Sequence, residues 1–198
     1  EDRATKYQQI VSEILLQRTK AETVAKYYDT FFSKFPDWNA LANASLEELE
    51  EIMKPLGLYR HRARRLYKLG EDIRRRGGKI PGNENELRDS GFIGLYVTNA
   101  FELFILRNRK PLLDVNMSRL LKRYFKPGDF IDVRHDKEIQ ELANDIIEVR
   151  RCKELNWAIL DYAALVCKTR NPLCGECVLN KHCKYYELSQ GDVTEEPE

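Results

Sequence analysis

No run of apolar residues in this chain approaches the roughly 20 that a bilayer-spanning helix requires. The N-terminal stretch EDRATKYQQI lacks the apolar core of a signal peptide. Strand-like alternation is nearly absent, and neither internal repeats nor low-complexity tracts interrupt the body of the chain. These absences exclude membrane-spanning and β-sheet classes and predict a soluble, intracellular protein of the cytoplasm, nucleoid or nucleus, with no membrane partner. Net charge is also nearly missing, at +1. That average conceals a division. From Lys54 to Lys79 there are ten Lys or Arg against Glu71 and Asp72, whereas the last twelve residues carry five acids and no base. A basic stretch of this kind is either the solvated face of a helix or a surface for phosphates.

With 198 residues, 42% of them hydrophobic, the chain can bury a real core. Ile10, Ile14 and Leu15, then Val24, Tyr27, Tyr28, Phe31 and Phe32, recur at three- and four-residue steps, so the fold class is all-α. Ser45 with Glu48 reads as a capping box, and Asp114 as the cap of VNMSRLLKRYF. Pro36, Gly57, Gly77-Gly78, Pro81 and Pro127-Gly128 mark breaks. A boundary near Asn108 divides a helical bundle, 1–108, from a second helical unit, 109–187. Residues 188–198, LSQGDVTEEPE, read as an acidic mobile tail.

Four of the five cysteines crowd into one short segment, Cys167-KTRNPL-Cys174-GE-Cys177-VLNKH-Cys183. At the end of a long helical chain, reduced thiols binding metal are expected rather than disulfides. Four thiolates suit a tetrahedral metal or a cubane cluster. Structural zinc usually draws on two CxxC-type pairs, and only one is present. The fifth, Cys152, is expected to be a buried non-ligand.

The 6-2-5 spacing resembles the cluster loop of the endonuclease III, or helix-hairpin-helix, superfamily of DNA glycosylases, and the resemblance runs from about Tyr7 to Tyr186. It implies a six-helix barrel bearing the hairpin over 1–108 and a helical domain over 109–187, where Cys167, Cys174, Cys177 and Cys183 hold a structural [4Fe-4S] cluster. The partner it implies is double-stranded DNA containing a mismatched or damaged base, bound by a monomer. The segment Leu87-RDS-Gly91-FI-Gly94 is similar to the family's Leu-Pro-Gly-Val-Gly hairpin, with Phe92 in place of the first glycine. Gly91, Ile93 and Gly94 are then the expected phosphate contacts, since bare backbone N–H groups approach DNA best without a Cβ.

Leu113-Asp114-Val115-Asn116 resembles the family's Val-Asp-x-Asn and makes Asp114 the expected catalytic carboxylate. An anion lowers the barrier to breaking an N-glycosidic bond, because positive charge builds on the deoxyribose. Two residues after the last hairpin glycine, where strand-cleaving members have lysine, stands Tyr96. Tyrosine cannot form a Schiff base, so a monofunctional glycosylase is expected, with Tyr96 lining the base pocket. Glu13, a further candidate catalytic residue, stands where adenine-removing members have the glutamate that protonates the purine and where thymine-removing mismatch members can carry one too. Gln17 and Leu58 match the family's wedge positions, which fill the hole left by a flipped nucleotide, and Arg60, Arg62, Arg64 and Arg65 fall where phosphates pass. Tyr96 and the flanks Glu13-Ile-Leu-Leu and Asp161-Tyr-Ala-Ala-Leu-Val-Cys167 resemble mismatch-specific thymine/uracil members. The expected reaction is base excision repair of thymine or uracil opposite guanine. Adenine removal from A:G or A:oxidised-G pairs, a lyase-competent pyrimidine glycosylase, and an inactive DNA-binding or damage-sensing module stay open as alternatives.

Overall fold

A computed structural model describes residues 4–16, 19, 21–83, 85–86, 94–128 and 131–191. Every element among the described residues is helical. None of these helices is long and apolar enough to cross a membrane. The chain separates into two compact units, Glu1–Asn108 and Arg109–Glu198.

The first unit contains α1 (Lys6–Leu16), α2 (Ala21–Lys34), α3 (Trp38–Asn43), α4 (Leu46–Met53), a 3-10 turn at Lys54–Leu56, α5 (Tyr59–Arg75) and α6 (Leu95–Phe101). Helix α6 widens into a π-helical turn over Glu102–Leu106. The apolar steps converge on one core, in which Tyr7, Val11, Ile14 and Leu15 meet Phe31, Leu49, Met53, Leu66 and Ile73. Tyr7 reaches this core because its hydroxyl finds a partner, donating to the Phe35 carbonyl at 2.7 Å. Ser45 and Glu48 form the expected reciprocal capping box on α4.

Helix α5 lies so close to α3 that a Cβ on Gly70 would stand 2.6 Å from the Leu41 carbonyl oxygen and 3.2 Å from the Ala42 Cα. Backbone cannot yield as a flexible side chain can. Gly70→Ala is therefore expected to destabilise the protein by about 1–3 kcal/mol through overpacking, outweighing the roughly 1 kcal/mol that alanine gains in helix propensity. A urea midpoint that stays put or rises would contradict this.

The second unit contains α7 (Val115–Phe125), α8 (Lys137–Ile146), α9 (Cys152–Leu165), 3-10 turns at Cys174–Glu176 and Asn180–His182, and α10 (Lys184–Gly191). Leu113, Met117, Leu120 and Leu121 pack with Ile139, Ala143 and Ala163. The N-cap of α8, Asp136, also pairs with Lys122 at 2.6 Å, tying α8 to α7. Two expectations shift. The tail was expected from Leu188, but α10 carries residues 188–191 onward in helix, anchored near its start by Tyr185 under the Arg123 guanidinium. Cys152 opens α9 only partly buried rather than enclosed.

Candidate active site

Glu13 sits on α1 and Tyr96 in the first turn of α6, 83 residues apart in the chain. The fold brings them together. The Tyr96 hydroxyl donates to Glu13 Oε2 at 2.7 Å, short enough for a charge-assisted bond. Apolar steps in α1 bury Ile10, Val11 and Ile14 and leave Glu13 half-buried, while Tyr96 packs at the edge of the same core. The tyrosine is thereby both a core aromatic and a polar group committed to a carboxylate.

Gly94 caps the start of α6 with ordinary extended backbone, φ −78°. A Cβ built there meets nothing within 4 Å among the described residues, so neither conformation nor packing there demands glycine. Gln17, Gly91 and Ile93 lie outside the described residues.

Leu58 protrudes in a left-handed conformation, φ 44° and ψ 26°, with 53% of its surface exposed. That backbone region is costly for a side chain with a Cβ. Arg60 is exposed beside it, its guanidinium over the Tyr59 ring. The basic run is not uniform: Arg60, Arg64 and Arg65 face solvent, but Arg62, expected among the phosphate contacts, is 3% exposed. It points inward and donates to the carbonyls of Leu56, at 2.8 Å, and Gly57, and to Thr19 Oγ1. One residue in four of the run is turned because α5 shows each face to the core once per 3.6 residues.

Asp114 caps α7. Its Oδ1 accepts from the backbone N–H groups of Asn116 and Met117, both at 2.8 Å, and its Oδ2 accepts from Asn116 Nδ2 at 2.7 Å. Asn116 Oδ1 in turn accepts from Arg119 Nη1 at 3.0 Å, and Arg119 donates onward to the carbonyls of Cys167, at 2.9 Å, and Ala163, at 2.8 Å. Burial raises the Asp114 carboxyl above the usual aspartate value, partly offset by those hydrogen bonds and by Arg119. The segment entering α7 is held by buried Asn156, which accepts from Leu112 N–H at 2.6 Å and donates to the Lys110 and Cys152 carbonyls. Sequence reasoning missed Asn156 and Arg119. Their only signal was an unpartnered polar residue on a helix face that should meet a core.

Cys167 follows α9, Cys174 opens a 3-10 turn, and Cys177 and Cys183 each close one. Among the described residues no three His, Cys, Asp or Glu side chains clasp a single ion position. The thiols nonetheless share one neighbourhood: after burial, the nearness of Cys183, Cys167 and Cys177 pushes the Cys174 thiol up. Donors surround them, with Tyr162 Oη giving to Cys177 Sγ at 3.3 Å and Arg123 Nη1 to Cys167 Sγ at 3.5 Å. Four thiols spread around a polynuclear group need not converge on one point. The donor set suits such a group.

Residues 11–154 match the HhH-GPD superfamily of base excision DNA repair proteins, and the chain belongs to that family. It is 35% identical over 181 residues to the thymine-DNA glycosylase of Aeropyrum pernix, covering 89% of this chain and 81% of that protein. To the thymine/uracil-DNA glycosylase of Methanothermobacter thermautotrophicus it is 31% identical over 180 residues, covering 90% and 81%. A solved structure of a thermostable thymine-DNA glycosylase superposes with a TM-score of 0.83 over 94% of this chain and 87% of that one, at 30% identity.

Proposed function

We propose that this protein is a monofunctional DNA glycosylase of base excision repair that removes thymine or uracil mispaired with guanine and leaves an abasic site. The observation that carries the reading is Tyr96: the position that would need an amine for strand cleavage holds a phenol, and its hydroxyl is committed to Glu13. The likeness to thymine and thymine/uracil glycosylases supports the choice of base.

In this reaction the target nucleotide leaves the stack. Leu58 and Gln17 fill the space, Arg60 contacts phosphate, and Gly91, Ile93 and Gly94 present backbone N–H groups to the strand. The open space over Gly94 supports that last role. Glu13 and Tyr96 line the pocket for the base. The C1′–N1 bond breaks with its electron pair leaving on the pyrimidine. Asp114 stabilises the cationic sugar, then takes a proton from the water that adds to C1′. Cys167, Cys174, Cys177 and Cys183 would hold a [4Fe-4S] cluster, fastening a basic segment that carries Lys168, Arg170, Lys181 and, at the start of α10, Lys184. The cluster's contribution is structural, because hydrolysis moves no electron between centres.

The test is a panel of duplex oligonucleotides bearing G:T, G:U, A:G and A:oxidised-G pairs, assayed with and without alkali. Excision of thymine and uracil opposite guanine is expected, with strand breaks only after alkali. Breaks without alkali, or preference for adenine, would overturn the reading.

A further inference from the structure

Two segments that the proposed reaction drives into DNA are separate in the chain, one at the end of α1 and one in the turn before α5. Thr19 and the Leu56–Leu58 turn are joined through the buried side chain of Arg62. Arg62 donates to the Leu56 and Gly57 carbonyls on one side and to Thr19 Oγ1 on the other. Thr19 Oγ1 donates to the same Leu56 carbonyl at 3.3 Å. Between these anchors the chain passes through Gly57, φ 65°, and Leu58, φ 44°, the latter a branched apolar residue held left-handed with its side chain outward. Such a conformation persists only where its surroundings over-determine it, and strain of this kind concentrates at functional sites. Nothing within the described fold is gained by exposing Leu58.

We propose that Arg62 is a positioning residue for base flipping: it holds the Leu58 turn in its strained, projecting form and, through Thr19, keeps the end of α1 in register with it. The inference rests on the wedge role given to Leu58. Arg62 touches neither the sugar nor the base. It acts by pre-organising what enters the vacated stack, so that the cost of ordering the turn is met before DNA arrives.

The test uses a G:T duplex with 2-aminopurine beside the target thymine, and the same thymine in an unpaired bubble where flipping is already done. Arg62→Met keeps an apolar stem but removes every donor. It is expected to slow both the fluorescence rise and single-turnover excision on the duplex by about 10²-fold, as a displaced positioning group does. Excision from the bubble should stay within about threefold of the unsubstituted protein. Arg62→Lys should recover part of the loss, and Thr19→Val should show a smaller loss in the same direction. Equal losses on duplex and bubble would mean that Arg62 is only structural, and an unchanged duplex rate would refute the proposal. If Arg62→Met does not fold, Thr19→Val on the two substrates decides. Flipping is read by fluorescence, so a wild-type protein that flips thymine without excising it would sink the assigned chemistry and leave the role of Arg62 measurable.

Discussion

Asp114→Asn is expected to slow base excision by about three orders of magnitude while folding and DNA binding survive. A carboxylate about 4 Å from a cationic sugar, at an effective dielectric of about 20, contributes about 4 kcal/mol. Its loss should therefore slow the chemical step about 10³-fold. Asparagine can still accept the Asn116 and Met117 N–H groups, so the cap on α7 remains. Two effects on stability oppose each other. Because burial raises the Asp114 carboxyl in the folded protein, its ionised form weakens folding. That group's contribution is greatest below the ordinary value of 3.8 and is lost as pH rises through the raised one. Removing the charge therefore helps at neutral pH. Against this, a new amide faces Asn116 Nδ2, whose orientation is fixed by Arg119. The two leave stability within about 1 kcal/mol of the starting value. Full turnover by the variant would remove Asp114 from the mechanism. In the unsubstituted enzyme, the same raised carboxyl puts the acid limb of the single-turnover rate above 3.8, and a limb at or below that value would show that another group controls it.

Cys174→Ser is expected to have the second large effect, first on the folding of the C-terminal segment and through it on Asp114. Between α9 and α10 the regular structure is limited to two single-turn 3-10 elements, and Leu173, Val178 and Leu179 there are exposed. In the proposed reading the four cysteines hold iron there, and where metal-ligand bonds order a segment, binding energy is folding energy. The variant should lose its iron and the visible absorbance that accompanies it. The basic loop should then become open to proteolysis, and DNA affinity should fall by about 10-fold or more, with a shallower salt dependence as phosphate contacts are lost. The change would reach Asp114 too, because the Cys167 carbonyl anchors Arg119, and Arg119 anchors Asn116. Full iron content and unchanged DNA binding in Cys174→Ser would remove this cysteine from the ligand set.

Several features were legible because they are local. The capping box of Ser45 and Glu48, the cap at Asp114 and the helical steps through α1 and α2 each involve residues within a turn or two, where one backbone geometry fixes which side chains meet. The cysteine segment was legible for the same reason. The placement of Arg62 was not. By composition it belongs with Arg60, Arg64 and Arg65, and only the packing of α5 turns it inward onto the Leu56 and Gly57 carbonyls. The left-handed form of Leu58 is equally invisible in its identity, since leucine is not a residue that favours it.

What the sequence determined by itself was the all-helical class, the local caps at Ser45 and Asp114, and the crowding of four cysteines into one segment. The tertiary structure decided which distant side chains share partners. Tyr96 meets Glu13 across 83 residues of chain, and Asp114 connects through Asn116 and Arg119 to the carbonyl of Cys167. Periodicity and capping depend on neighbours a few residues away. A hydrogen bond between distant residues depends on how whole helices pack, and that is set by the sum of many apolar contacts rather than by any motif.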